Sequence, residues 1–540
     1  MRAFHLPSGL SLLLAILLLP AAVGRARAQT SSAPADSPAG SLADSLNNAL
    51  DRAAAAQGSA HYAAAAIAYA DATKLSPRLA ELWANRGLME HLSNQPVAAV
   101  ASFHQALALK PGLFTAILFT GVDEVALGQP EQALPFLRQA LSAQPRNPDA
   151  TLALAKAYAA LHQLRPSADA FQAATDVNPG SSVAWYGLAV SSLGLIEQDG
   201  GVLALRHPDS VWARMLYADD LLAQNRLKEA TSLYGETSKL ATPAQRANFR
   251  RVLDLAPAAD PAQSPPAVPA ETLAALRQAL QPASDAIPCS KTPAPSDRGA
   301  CAFLSGNYAR SAGEAAAALA QSPTDLEALF WSVKANERRA TLAFTRFANL
   351  APQSPATFDL TGDLYRRRGQ PTEARSEYAK ALAQDPHDPA ALLGTAAAHL
   401  SEGHREQAIA AANAGLADRP EDPRLNLIVA EALVAGHRFG DAEPFLHRSL
   451  RRDSASDAHV HALLGRVAAE QGETDRAIAE MRLGLPSDRD GSLHFQLYRL
   501  LRKSGDLAGA QQAEAGARAL QAQRLQHAAV AVEQTEPAQN

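Results

Sequence analysis

Cysteine and aromatic residues are scarce in this sequence: there are 2 cysteines among 540 residues, and aromatics make up 5%. Strands favour aromatic and β-branched residues, and no segment alternates convincingly between apolar and polar residues. With 49 basic and 54 acidic residues the net charge is −5, which excludes a strongly basic nucleic-acid-binding surface over the whole molecule. Alanine, the best helix former, is abundant throughout, and we predict an all-α protein.

Catalytic signatures are also missing. The sequence holds no His-Glu-x-x-His motif, no Walker phosphate loop, no Gly-x-Ser-x-Gly elbow and no dinucleotide-binding glycine pattern after a strand. His459 and His461 would diverge around a helix axis because they are two residues apart. His399, Glu402 and His404 straddle a helix end, where capping or solvated roles are favoured over metal binding. We predict a non-enzymatic protein with no catalytic residues, no metal and no cofactor.

The N-terminus has the features of an export signal. Arg2 precedes the apolar run Leu10–Leu19, and Ala26-Arg27-Ala28 offers small residues around a cleavage point. We predict a signal peptide over residues 1–28, a flexible leader over residues 29–41, and export to the periplasm or outside the cell. Because positive residues follow the run, the alternative is an uncleaved segment that anchors the protein in the inner membrane. Membrane contact is expected only in that case.

A 34-residue repeat is the main feature of the chain. Four consecutive units start near residues 46, 80, 114 and 148, with small residues at positions 8, 20 and 27 of the unit, a large residue at 24 in three of them and leucine in the other, and proline at 32. The unit at 80 carries Gly87, Ala99, Phe103, Ala106 and Pro111. Small residues let two helices approach closely, the large one fills the gap between them, and proline ends the second helix.

The second half of the chain repeats this pattern. Units start near 355, 389, 423, 458 and 491, a degenerate unit starts near 292, and residues 209–243 form a near-regular one. Two units, from 182 and from 326, reach their terminating Pro208 and Pro352 five residues early. In each of them we expect either a shortened helix pair or one bent helix. Altogether the sequence predicts about a dozen helix pairs.

The pattern resembles the tetratricopeptide repeat (TPR) family. The resemblance implies an all-α superhelical solenoid of antiparallel helix pairs, here as two arrays over residues 42–251 and 299–521. Five prolines within residues 257–269 predict a Pro-rich linker over residues 252–298, with one short helix in it. Residues 522–540 are predicted to be a disordered tail.

The two cysteines, Cys289 and Cys301, flank a proline-rich loop at the end of this linker. In an exported protein, two and only two cysteines favour a disulfide. The bond would join the linker to the start of the second array. The alternative is a pair of unpaired thiols.

The resemblance also implies where partners bind, since positions 2, 5, 9 and 12 of the first helix of each TPR pair commonly face a concave groove. This mapping gives an apolar groove, suited to a partner helix or an extended apolar peptide, formed by Leu118, Val122, Val125 and Leu152, with Lys156 at its edge. It also gives a basic groove, suited to a carboxylate-rich or phosphorylated partner, formed by His459, Arg466, Phe495, Arg499 and Arg502. The alternatives are that neighbouring segments cover the apolar set, and that the arginines are ordinary surface residues.

These observations predict an exported scaffold or adaptor that binds envelope proteins or peptides in its grooves. Its partners are expected to be proteins or peptides, and no nucleic acid. The alternatives are a repeat subunit of an envelope enzyme system, such as a glycosyltransferase or protease assembly, and a membrane-anchored TPR protein.

Overall fold

The computed structural model describes residues 38–223, 226–254, 295–367, 369–450, 457–488 and 490–532. Within these residues helices are the only regular secondary structure, as the composition predicts. The predicted signal peptide and most of the predicted linker lie outside the described residues. The chain divides into two compact units, which we call unit 1 (Met1–Leu350) and unit 2 (Ala351–Asn540).

Unit 1 contains antiparallel helix pairs up to Leu350. Its described helices are α1 (Pro38–Gly58), α2 (Tyr62–Leu75), α3 (Ala80–Leu92), α4 (Pro96–Leu109), α5 (Phe114–Ala126), α6 (Pro130–Ala143), α7 (Pro148–Ala160), α8 (Leu164–Val177), α9 (Ser182–Arg206), α10 (Val211–Ala223), α11 (Leu227–Leu240), α12 (Pro243–Asp254), α13 (Pro295–Leu304), α14 (Tyr308–Gln321) and α15 (Leu326–Leu350).

Unit 2 also contains antiparallel helix pairs. Its described helices are α16 (Pro355–Arg367), α17 (Pro371–Gln384), α18 (Pro389–Ser401), α19 (Arg405–Asp418), α20 (Pro423–Ala435), α21 (Phe439–Ser449), α22 (Asp457–Glu470), α23 (Thr474–Gly484), α24 (Ser492–Ser504) and α25 (Leu507–Val532), with a 3₁₀ turn at Leu485–Ser487.

Proline and aspartate mark many helix starts. Pro389 and Pro423 occupy the first turns of α18 and α20, where the missing N–H costs no hydrogen bond. Asp388 and Asp422 precede them and accept hydrogen bonds from first-turn N–H groups, at 2.9 Å from Ala390 and 3.1 Å from Arg424. The local sequence therefore sets these boundaries.

Some predicted boundaries need correction. Helix α1 begins at Pro38, inside the predicted leader, and α12 and α13 each extend a few residues into the predicted linker. Helix α25 continues to Val532, past residue 522, where the disordered tail was predicted to start. Its alanine-rich sequence has a high helix propensity, which the prediction underrated. Residues 533–540 lie outside the described residues.

The two irregular repeats form single long helices. Helices α9 and α15 each have 25 residues, so the missing five residues remove the turn between the two helices of a pair. The contact between α9 and α15 is the most extensive of any pair of described helices. Because of this contact, residues 295–350 belong to unit 1, and the boundary at Leu350 falls within the predicted array 299–521.

A buried ionic network holds α15 against its neighbours. Asp199 of α9 is 1% exposed. It accepts two hydrogen bonds from the Arg165 guanidinium, at 2.7 and 2.9 Å, and one from the Ser332 hydroxyl at 2.6 Å. Lys334 on the same helix as Ser332 is also buried and lies 2.8 Å from Asp219 of α10. Buried charges require such partners, so these pairs fix the position of α15 against α8, α9 and α10.

Among the described helices, only α9 is long and apolar enough to cross a membrane by length and composition. It also packs against α8 and α15 within unit 1. Leu188, Leu195 and Leu203 of α9 are buried in this packing.

The close approach predicted for each pair is present. A Cβ atom on Gly87 would lie 2.7 Å from the Phe103 ring, and one on Gly121 would lie 2.7 Å from Leu137. Ala99, at position 20 of the same unit as Gly87, is fully buried. The small residues are thus required by packing, as the sequence predicts.

The turn inside each pair uses a left-handed residue at a fixed position. Ala60, Asn94, Gly128 and His162 all have positive φ, between 54° and 74°. They are one repeat apart, so this backbone geometry is part of the repeat. Glycine adopts it without the steric cost that other residues meet.

We therefore predict that Ala60→Gly stabilises unit 1 by about 1 kcal/mol, because relief of left-handed strain exceeds the added entropy of the unfolded chain. Gly128→Ala is the reciprocal control, since a Cβ there meets no atom within 4 Å and only the backbone conformation is tested. It should destabilise by a similar amount. Urea unfolding followed by circular dichroism measures both. Equal midpoints for Ala60→Gly and the parent chain would contradict the assignment of strain.

In unit 2, three carboxyl groups lie close together at the first pair. Asp388 caps α18, and Asp363 of α16 accepts a 2.7 Å hydrogen bond from the Tyr378 hydroxyl. Asp359 is buried between them. Burial, and then the charges of Asp388 and Asp363, raise the pKa of Asp359 to about 8. The folded protein therefore holds a proton on Asp359 that the unfolded chain releases.

Because unfolding releases this proton, the Asp359 contribution to stability should fall as pH rises from 3.8 to about 8, by at most about 1.4 kcal/mol per pH unit. Asp359→Asn mimics the protonated acid at every pH. We expect its urea midpoint to match the parent near about pH 4 and to exceed it near about pH 8. Glu470→Gln, at an exposed carboxylate, is the control. A pH-independent difference between Asp359→Asn and the parent would refute the raised pKa.

Candidate functional site

The first helices of successive pairs form a continuous surface in each unit. In unit 1, α3 contacts α5, α5 contacts α7, and α7 contacts α9. In unit 2, α16 contacts α18, α18 contacts α20, and α20 contacts α22. Residues on the shared face of these helices are therefore the candidates for binding a partner.

The predicted apolar groove is largely covered. Leu118 is 4% exposed and belongs to the hydrophobic core that residues of α1 to α7 form, so it cannot serve as a groove residue. Val122, Val125 and Leu152 are half-buried and pack against core residues of their own and neighbouring helices. At this position the alternative interpretation, cover by neighbouring segments, describes the structure better.

Lys156 remains exposed at the edge of this surface. The protein atoms that surround it reduce the hydration of its ammonium group, which lowers the pKa of Lys156.

Exposed apolar residues lie instead on α9. Val190 and Leu193 are 44% and 37% exposed, at positions 9 and 12 of the unit that starts at 182. One turn earlier, the ring centroid of Tyr186 is 5.1 Å from that of Phe347 on α15. The sequence prediction did not include these residues, because the groove positions were mapped only in the regular units.

The predicted basic residues of α24 share one exposed helix face. Phe495, Arg499 and Arg502 are spaced by four and three residues, and all three are exposed, Phe495 by 48%. The opposite face is buried and formed by Leu493, Leu497 and Leu501. Helix α24 thus presents an aromatic side chain and two cations to solvent.

Tyr498 joins this surface and was not predicted. Its hydroxyl accepts a 3.0 Å hydrogen bond from Arg502, whose guanidinium lies 5.7 Å from the ring centroid. This hydrogen bond raises the pKa of Arg502. The Phe495 and Tyr498 rings are also in contact, with centroids 5.9 Å apart. Tyr498 therefore orients Arg502 and extends the aromatic part of the surface.

His459 and Arg466 lie on α22. The imidazole Nε2 of His459 is 2.7 Å from the Glu431 carboxylate on α20, and this hydrogen bond raises the pKa of His459, although burial and the nearby Arg466 oppose it. Glu431 was missed because the groove positions of its unit were not mapped. The predicted basic residues thus form two sets, one on α22 with an acidic neighbour and one on α24.

Arg466 and Arg499 have no hydrogen bond or ion pair to any described residue. Other arginines of unit 2 are paired, for example Arg476 with Glu443 and Arg482 with Asp506. The guanidinium groups of Arg466 and Arg499 can therefore still bind carboxylate or phosphate oxygens.

Comparison with known proteins agrees with the repeat pattern. Models of the tetratricopeptide repeat match residues 124–190 and 365–432, and another model of the same repeat matches residues 429–492. No curated protein gives a significant match.

Solved structures with similarity include a chain of the APC/C hetero-tetramer Cut9–Hcn1, at 14% identity over 90% of this chain and 88% of that one, with a TM-score of 0.31. A tetratricopeptide repeat protein from Parabacteroides merdae is 11% identical over 72% of this chain and 99% of that one, with a TM-score of 0.33. MamA from Desulfovibrio magneticus is 21% identical over 28% and 85%, with a TM-score of 0.27.

With TM-scores this low, the solved structures add nothing to the assignment, which rests on the matches to repeat models and on the repeat itself. The fixed positions of small and large residues, the antiparallel pairs and the contacts between successive first helices all agree with those matches. This chain belongs to the tetratricopeptide repeat family.

Proposed function

We propose that this protein is an exported, non-enzymatic scaffold or adaptor that binds an acidic segment of an envelope protein on the α24 surface. Tetratricopeptide repeats generally serve protein–protein interaction. The proposal adds a location, a binding surface and a class of partner to that general role.

The observation that carries the proposal is the exposed face of α24. Phe495 offers apolar area, and Arg499 and Arg502 offer planar guanidinium groups without a carboxylate partner. Arginine and aromatic residues are enriched where protein surfaces bind most strongly. A guanidinium can bind a carboxylate or phosphate through two parallel hydrogen bonds. The complementary partner is a carboxylate-rich or phosphorylated segment with an apolar residue near its charges.

A second surface supports a second partner. Val190 and Leu193 expose apolar area on α9, next to the contact between Tyr186 and Phe347. An amphipathic helix is the segment that an exposed apolar stripe of this kind accommodates. A repeat subunit of an envelope enzyme assembly would use the same surfaces to hold its catalytic subunit, so this alternative differs in the partner and not in the binding chemistry.

Export is supported by the features of residues 1–28, and a disulfide would agree with it. Cys301 lies in α13, whereas Cys289 lies outside the described residues, so the disulfide remains a prediction. In an oxidising compartment it would close the loop before α13.

We predict that Arg499→Ala with Arg502→Ala weakens binding of an acidic envelope partner by at least about 100-fold at low salt, because two charge-assisted contacts are lost. The partner is captured from an envelope extract, identified by mass, and its affinity measured with purified components. High salt should reduce the difference, since it screens exposed charges.

The control is Arg405→Ala with Arg518→Ala, which makes the same change in net charge at exposed positions outside the α24 surface. It should leave affinity within a few-fold of the parent. Equal loss in both double variants would show that only net charge matters. Full retention of every partner by the Arg499 and Arg502 variant would end the proposal for this surface.

We further predict that Cys289 and Cys301 resist a thiol-alkylating reagent until the protein is reduced. The protein is purified from its own compartment without reductant, labelled in denaturant, and analysed by peptide mass. Labelling after reduction only is expected because a disulfide has no thiolate to react. Full labelling before reduction would argue against both the disulfide and an oxidising location.

A further inference from the structure

A cluster of possible metal ligands lies at the turn between α18 and α19. His399 is in the last turn of α18, Glu402 follows that helix, and His404 precedes α19. One ligand atom from each of the three side chains lies within 4.8 Å of the others. Capping or solvated roles were predicted for these residues, but the His404 side chain accepts no cap hydrogen bond at the start of α19.

The spacing of the donor atoms is close to that of a coordination sphere. The Nδ1 atom of His404 lies 3.3 Å from an oxygen of Glu402. Two ligands about 2.1 Å from a tetrahedral zinc ion lie about 3.4 Å from each other. The His399 and His404 ring centroids are 5.9 Å apart. To share one ion, the donor atoms, which lie within 4.8 Å of one another, would have to approach to about 3.4 Å.

A further observation concerns one ring nitrogen of His399. Its Nδ1 atom is buried and has no hydrogen-bond partner among the described residues. Buried polar atoms without a partner are uncommon. An ion bound by this nitrogen would satisfy it.

Two charged features affect cation binding at the cluster: the end of α18 favours it, and Arg375 competes with it. The C-terminal end of α18 is the negative end of the helix dipole, which attracts positive charge. Arg375 of α17 forms an ion pair with Glu402, and the Thr372 hydroxyl donates a 3.1 Å hydrogen bond to the other carboxylate oxygen. Arg375 thus supplies the positive charge that Glu402 requires when no ion is bound, and an ion would displace it.

We propose that His399, Glu402 and His404 bind a divalent transition-metal ion of the zinc type. Two imidazoles and one carboxylate are a donor set that zinc prefers. The His404 side chain is 51% exposed, so the fourth position faces solvent and is open to water or to a side chain of a bound protein. The ion would connect the two helices of one repeat and place a Lewis-acidic contact on the surface of unit 2.

The test uses the tag-free full chain, stripped of metal, and titration with Zn²⁺ by calorimetry. We expect one ion per chain, and a loss of affinity of more than about 100-fold in His404→Ala, because changes to outer-shell groups alone cost about 10–100-fold. His399→Ala should behave alike. His404 is exposed, so its variant should keep the parent fold even if His399→Ala does not.

Two further variants separate this site from other histidines. Arg375→Gln should bind Zn²⁺ more tightly than the parent, since the competing cation is removed. His387→Ala, at an exposed histidine that pairs with Asp418 outside the cluster, should match the parent. A titration with Co²⁺ should give the intense visible absorption of a tetrahedral ion in the parent and not in His404→Ala.

The outcomes are decisive in each case. Loss in His404→Ala, gain in Arg375→Gln and no change in His387→Ala support the site. Equal affinity in the parent and His404→Ala would place the ion elsewhere and overturn the proposal. Binding by Arg375→Gln alone would show that Arg375 excludes metal from the cluster, and binding by no chain would show that these three residues do not hold the ion. Either result would overturn the proposal.

Discussion

The close approach of two helices around one large side chain is the constraint on which this structure depends. Tyr378 shows it most fully, because it is completely buried and lies within 3 Å of where a Cβ would stand on Gly362 of α16 and on Gly394 of α18. One side chain of α17 therefore sets the distance to its own partner helix and to the first helix of the next pair. Repetition of this contact propagates the array.

The two irregular repeats, α9 and α15, follow from the same constraint. When five residues are lost, the turn inside a pair disappears, and a 25-residue helix has faces that its own repeat cannot cover. Helices α9 and α15 meet this need by packing on each other, with Asp199 and Ser332 hydrogen-bonded between them. Two irregular repeats that are far apart in sequence thereby build one compact unit from residues on both sides of the linker.

The regular repeats could be predicted from the sequence because positions 8, 20 and 24 act within one helix pair. The pairing of α9 with α15 could not, since no local pattern specifies a partner that begins at residue 326 for a helix that begins at residue 182. The groove positions predicted that Phe495 and Arg499 are exposed, and both are. A charged residue, or an apolar residue without apolar neighbours, does not pack into the core. The prediction failed for Leu118, because an apolar residue at a groove position is covered whenever a neighbouring helix supplies apolar area.

Charge pairing separates residues that stabilise the array from residues available to a partner. In unit 2, Arg476 is paired with Glu443 and Arg438 with Asp441. His459 occupies a groove position, yet Glu431 from the preceding repeat satisfies it. Arg499 has no such pairing and shares its helix face with an exposed phenylalanine. The packing of α24 uses neither feature, and for this reason its exposed face is the surface that we propose for a partner.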